Sequence, residues 1–231
     1  MPKTGKKYRE ARTRIDPEKT YSLTEAIEAL KEASFANFDE TVELIVSLGI
    51  DPRKSDQIVR GTVSLPHGTG KKVTVLVFCG PDRVEEAREA GADYAGSDEL
   101  IEKIDGGWMD FDVAVATKDM MRQISRLGKV LGPRGLMPNP KAGTLTDDIP
   151  KTVKELKAGK IEFRTNKYGD IQTAAGKISF QPSQLEENVR CIVREITRLK
   201  PPAVKGKYLK KATLCATMSP PVKLETSSIG G

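Results

Sequence analysis

The chain has 231 residues, enough for one large domain or two small ones with their own cores. Hydrophobic residues make up 38%, and no run of them is long enough to form a membrane-spanning helix. The net charge of +6 points towards anionic partners, and three scattered cysteines without a CxxC pair (Cys79, Cys191, Cys215) read as buried thiols in a reducing compartment, not as a disulfide framework or a zinc site.

The first stretch sets Lys3, Lys6, Lys7, Arg9, Arg12 and Arg14 against Glu10 alone. No apolar segment follows it, so it does not read as a secretory signal, and a cytoplasmic protein is expected. The stretch is either a frayed terminus or a phosphate-seeking arm. In YSLTEAIEALKEA, Ser22 and Glu25 have capping-box spacing and Leu23, Ala26, Ile27 and Leu30 share a face, which predicts a helix. From Val42 to Ile50 the apolar residues recur every second position, as in a half-buried strand, and IVRGTVSLP reads as the next strand.

After Pro66 the pattern changes. VTVLVF (73–78) and FDVAVA (111–116) are unbroken apolar runs, the mark of strands buried on both faces. Between and after them the sequence predicts a helix in CGPDRVEEAREAG, a short strand in ADYAG, a helix in SDELIEKI and one continuous helix in KDMMRQISRLGKVLG. This alternation calls for a parallel sheet with helices on its faces. LGPRGLMPNPKAG (131–143) is too rich in glycine and proline for a regular element. It follows a helix and does not open one from a strand, so the nucleotide-loop argument has no footing there. DDIPKTVKELKAGK predicts one more helix ending near Gly159. Alternation then returns. GKIEFRTNKYGDIQTAAGKISF reads as a hairpin turning at NKYGD. SQLEENVRCIVREITRL reads as a helix capped by Ser183 and Glu186, YLKKATLCATM as a last strand, and PPVKLETSSIGG as a loose tail.

The two outer thirds therefore share one grammar and the middle another. The expectation is an α+β protein of two domains: a composite α+β domain from both chain ends, residues 1–67 plus 160–231, and an inserted three-layer α/β domain, 68–159. The crossings GTGKK and KAGK, with Gly68, Gly70 and Gly159, are expected to act as a hinge.

Nucleotide and enzyme chemistry fit poorly. Gly70-Lys71 is followed by Lys72 and then a strand, which fails the P-loop pattern, and VFCGPDRVEEA offers only Gly80 of a dinucleotide fingerprint. One histidine, His67, cannot build a triad or a His-based metal site, and the carboxylate pairs Asp110/Asp112 and Asp147/Asp148 read as caps and strand ends. No cofactor is expected, and a basic α/β nucleotide-binding module or enzyme stands as the alternative. Bases recur instead at loops and element ends: Arg53 with Lys54, Arg164 with Lys167, Lys205 with Lys207. Aromatics at 5% leave little for base stacking, so nucleic-acid recognition would rest on phosphates, 2′-hydroxyls and shape.

NFDETVEL, DPRKSDQIVRGTVSLPHGTGK, GADYAG, GWMDFDVAVAT, LGKVLGPRGLMPNPKAGT, KAGKIEFRTNK and the ATM ending occur in that order. Together they resemble the L-one family of large-subunit ribosomal proteins over nearly the whole chain. The resemblance implies a Rossmann-like inserted domain, rRNA binding at the mobile lateral stalk, help in releasing deacylated exit-site tRNA, and repression of translation from the protein's own operon mRNA. It also implies a monomer off the ribosome, located in the cytoplasm on the large subunit. By that resemblance the rRNA contacts are Phe38, Thr41, Thr217 and Met218. Basic residues at the N-terminus (Lys3, Lys6, Lys7) and on loops (Arg53, Arg164, Lys167) add phosphate contacts, and Arg134 and Lys141 make secondary ones. Two positions depart from the family pattern: Ser219 stands where glycine commonly follows the Thr-Met pair, and Asn37 where lysine often precedes the Phe. Ser219 is kept as an expected contact through its backbone amide, although its Cβ restricts positive φ. Taken without the resemblance, Phe38 reads as a core residue at a strand entry and Met218 as a gap-filler.

Overall fold

A computed structural model of the chain describes residues 5–229, so the expected contact Lys3 lies outside the described residues. In chain order the elements are α1 (Lys6–Thr13), α2 (Leu23–Ala33), β1 (Thr41–Leu48), β2 (Arg60–Ser64), β3 (Val75–Phe78), α3 (Val84–Glu89), β4 (Tyr94–Gly96), α4 (Asp98–Asp105), β5 (Val113–Ala116), α5 (Met121–Ile124), α6 (Gly128–Leu131), α7 (Ile149–Lys157), β6 (Lys160–Arg164), β7 (Asp170–Lys177), α8 (Pro182–Arg198), β8 (Leu209–Ala216), β9 (Val222–Leu224) and α9 (Thr226–Ile229). They fall into two compact units, one reaching Gly70 and resuming at Ile161, the other spanning Lys71–Lys160.

The first unit is built on an antiparallel sheet in the order β7-β1-β8-β9, with β2 and β6 paired separately. Alternation along β1 sends Val42, Leu44, Val46 and Leu48 into the core, where they meet the buried stripes of α2 and α8. Ser22 and Glu25 form the predicted capping box at the start of α2. Asn188 on α8 is fully buried and satisfied: its amide nitrogen donates to the carbonyls of Gly68 (3.0 Å) and Ala175 (2.8 Å), and its oxygen accepts from the His67 N–H (3.2 Å).

The second unit is a parallel sheet, β4-β3-β5. Every residue of β3 is buried, because its side chains feed two cores. Leu76 and Phe78 join Ile101, Ile104, Ile124, Leu127 and Leu131 on one face; Val75 and Val77 join Ala87, Ile149, Val153 and Leu156 on the other. This is the expected α/β layering.

Several expectations need correction. The basic N-terminal stretch forms a helix, α1, held by buried Ala11 with Ile15 just beyond it. KDMMRQISRLGKVLG is not one helix but α5, a 3-10 turn at 125–127 and α6. Gly128 and the Ser125 hydroxyl, which donates back to the Met121 carbonyl at 2.7 Å, both favour the break. β6 and β7 flank the NKYGD turn but do not form a hairpin ladder. Beyond the single bridge Thr165–Ile171 they part, β6 to β2 and β7 to β1, since alternation specifies a strand and not its partner. α8 is capped by Gln181, two residues before the expected Ser183 cap. Pro182 opens its first turn, and the Gln184 side chain accepts the Gln181 N–H at 3.0 Å. The tail is not loose as far as Ile229: β9 and α9 bury Val222, Leu224 and Ile229. The cysteines are free thiols, with Cys79 buried but Cys191 and Cys215 only partly so.

Candidate nucleic-acid interface

The antiparallel register that sets Val42 opposite Ala216 brings the start of β1 beside the residues just after β8. There the Thr41 N–H donates to the Thr217 hydroxyl oxygen at 3.1 Å. From the other neighbour, β7, Lys177 Nζ donates to the Thr41 hydroxyl at 2.9 Å and to the Asp39 carbonyl at 3.3 Å. Three strand ends thus present one row of hydroxyls and an ammonium group.

Glu40 lies beneath that row. It has no exposure to water, yet its carboxylate is fully engaged. It accepts the Met218 N–H (2.9 Å), the Ser34 hydroxyl (2.8 Å), the Ala36 N–H (3.3 Å) and the Ser219 hydroxyl (3.2 Å). Burial pushes its pKa up, but the hydrogen bonds from Met218, Ser34, Ala36 and Ser219 outweigh that, and the carboxyl is held below its ordinary range. An ionised, buried acceptor therefore joins segment 34–40 to segment 217–219.

Those two segments carry the exposed apolar side chains Phe38 (55% exposed) and Met218 (50%), so neither is a core residue or a gap-filler. Ser219 is buried, its hydroxyl turned in to Glu40 and its N–H donating to the Ala216 carbonyl at 3.2 Å. No non-glycine residue among those described has positive φ, so the serine is accommodated without left-handed backbone.

Other expected contacts lie elsewhere. Lys6 and Lys7 are exposed on α1, Lys6 near Glu10 at 4.0 Å. Arg53, Arg164 and Lys167 are exposed around the opposite end of β1, where Leu48 N–H donates to the Gly169 carbonyl. An eight-residue strand separates them from Thr41 by roughly 20 Å. Arg134 and Lys141 are exposed on the second unit. The expected hinge glycines all have positive φ: Gly68 (65°), Gly70 (71°) and Gly159 (105°). Beside the carboxyl ends of β3 and β5 the charges pair with one another, Lys118 with Asp147 (2.7 Å) and Arg83 with Glu86 (2.9 Å). Among the described residues no group of His, Cys, Asp or Glu is arranged to hold a metal ion, and no helix is long and apolar enough to cross a membrane.

Sequence reasoning missed Glu40 and Lys177. Lys177 meets Thr41 136 residues away, and Glu40 joins the local Ser34 and Ala36 to Met218 178 residues away; only the acid at the mouth of an alternating strand hinted at Glu40.

Comparison with known proteins gives one answer. Residues 30–220 match the model of the Ribosomal protein L1p/L10e family. The chain is 54% identical to the large ribosomal subunit protein uL1 of Protochlamydia amoebophila, over 97% of this chain and 95% of that one. It is 54% identical to the protein of that name from Bifidobacterium longum (99% and 100% covered) and 55% to that from Chlorobium chlorochromatii (96% of each).

Proposed function

Because the chain belongs to the Ribosomal protein L1p/L10e family, a family of structural proteins without enzymatic activity, we propose that it is a constituent of the large ribosomal subunit. It binds rRNA through the edge of the first unit, in the cytoplasm where its ribosomes work. The observation that carries this reading is the pair of exposed apolar side chains, Phe38 and Met218, set beside the Thr41 and Thr217 hydroxyls and fixed from below by Glu40. Such a patch is preorganised, so little conformational freedom is lost on binding. The hydroxyls suit 2′-hydroxyl and phosphate oxygens, and the apolar pair suits a sugar or base face. The exposed bases Lys6, Lys7, Arg53, Arg164 and Lys167 gather the polyanion, with Arg134 and Lys141 as secondary contacts.

On this reading the first unit is the RNA-binding domain, the second an inserted domain, and Gly68, Gly70 and Gly159 the hinge glycines. The resemblance set out above extends the proposal to release of exit-site tRNA, repression through the protein's own mRNA, and a monomeric state off the ribosome. Filter binding to large-subunit rRNA tests the core of it. Thr217→Val removes a hydroxyl worth about 1 kcal/mol, about a fivefold loss of affinity, and Met218→Asp adds a repelled charge and weakens binding further. Unchanged affinity in both variants, with melting temperatures also unchanged, overturns the edge as the site.

A further inference from the structure

At the end of β8 away from Thr217 lies a cavity of about 370 Å³ lined by Lys207, Lys210, Lys211 and Lys223, with Thr213 and Glu225. The backbone explains how so many bases reach one place. β1 pairs Ser47 with Lys211 but Leu48 with Leu209, so Lys210 is the extra residue of a β-bulge. Strict alternation would turn one of two consecutive lysines towards the core, whereas the bulge leaves both exposed. Gly49 seats the preceding segment. Its N–H donates to the Tyr208 carbonyl at 2.7 Å, and a Cβ there would stand 2.3 Å from the Lys207 carbonyl oxygen. Across the next ladder, Lys223 lies opposite Thr213.

The positive charge is left largely uncompensated. Lys223 Nζ donates to the neutral carbonyl of Pro17 at 2.6 Å. Lys207, Lys210 and Lys211 make no side-chain hydrogen bond or ion pair among the described residues. The one acid in the lining, Glu225, accepts the Ser227 hydroxyl at 2.7 Å. A second cavity, about 420 Å³, shares Thr213 and Lys223 with the first. It continues past Arg12, Asp16 and Glu18 to Pro220 and Pro221, next in the chain to Met218 and Ser219.

We propose that the lysine cavity is a second anchor for RNA, one that holds the phosphodiester backbone. The shared cavities form the path by which a strand seated on the Phe38–Met218 edge reaches it. The inference rests on the rRNA reading above and extends its footprint. Four ammonium groups spread over two backbone segments, 207–211 and β9, match several phosphates in series better than one small anion, and lysine is a flexible point charge suited to contacts that need no base geometry.

The test is a salt titration of filter binding to large-subunit rRNA, from about 0.05 to 0.5 M KCl, with the full chain and the exposed double variant Lys210→Gln/Lys211→Gln. The expected result is a slope of log affinity against log salt shallower by about 1.5, and an affinity at about 0.1 M salt lower by about tenfold or more, at unchanged melting temperature. Met218→Asp serves as the comparison and is expected to lower affinity. A lysine variant that matches the parent in slope and affinity, while Met218→Asp still loses binding, overturns the second anchor and leaves the edge standing. Retained binding in both variants removes the Phe38–Met218 edge as well, and absence of rRNA binding by the parent removes the rRNA reading itself. Inorganic phosphate that competes with rRNA beyond KCl of the same ionic strength, in the parent but not in the lysine variant, overturns the backbone anchor in favour of a small-anion site.

Discussion

Glu40 sits where the two ends of the chain meet, out of contact with water, with four groups donating to its two oxygens. Glu40→Gln keeps the shape but turns an amide nitrogen towards a donor. The expected cost is about 1.5–3 kcal/mol, read as a lower melting temperature together with weaker rRNA binding at unchanged salt slope. The pH dependence follows from the sign of the shift. The carboxyl is held below its ordinary 4.5, so the unfolded chain takes up the proton first as pH falls. The stability Glu40 contributes is therefore complete above about pH 4.5 and lost as pH drops through its folded pKa. Melting temperatures of parent and variant, well apart at neutral pH, should converge in acid. Single residues were the least legible scale. The residue pattern alone left Phe38 and Met218 as plausible core, and only the family resemblance moved them to the surface. Glu40 gave almost no sign, because burial of a charge depends on partners that the linear sequence does not bring near.

At the scale of elements, what could be read was whatever a single segment determines by itself. The α2 capping box, the alternation of β1 and the unbroken run of β3 each report their own environment, and each was legible. Pairing was not. The NKYGD turn was identified, but the strands on either side leave for different sheets, since register and partner are set by the whole core. The bulge at Lys210 was equally hidden, for two adjacent lysines in a strand look like noise in an alternating pattern. α8 gives the prediction that belongs here. Asn188 ties that helix to the β7 backbone and to the chain leaving β2. Asn188→Ala strands the buried Ala175 carbonyl and the half-buried Gly68 carbonyl and His67 amide, and chemical denaturation should show a loss of about 2–4 kcal/mol.

At the scale of the molecule, each unit has its own buried clusters. Replacing residues 71–160 by a short Gly/Ser linker should therefore leave the first unit folded, with rRNA affinity within about tenfold of the parent and a cooperative melt, both measurable on the purified variant. Loss of folding would mean that the first core is completed by the second unit. The two-part grammar was legible because antiparallel, half-buried strands alternate while parallel, doubly buried ones do not.

Glu40 and Met218 are 178 residues apart in the chain, so the hydrogen bond between them becomes possible only after both domains' intervening residues have been made. A copy cut short before Thr217 carries all the bases of its N-terminal helix and can be drawn to polyanions, yet it has no edge with which to dock. On the proposed interface, selection against incomplete copies needs no separate inspector. Residues 217–219 close the surface, so a copy that stops short of them cannot take its place in the assembly.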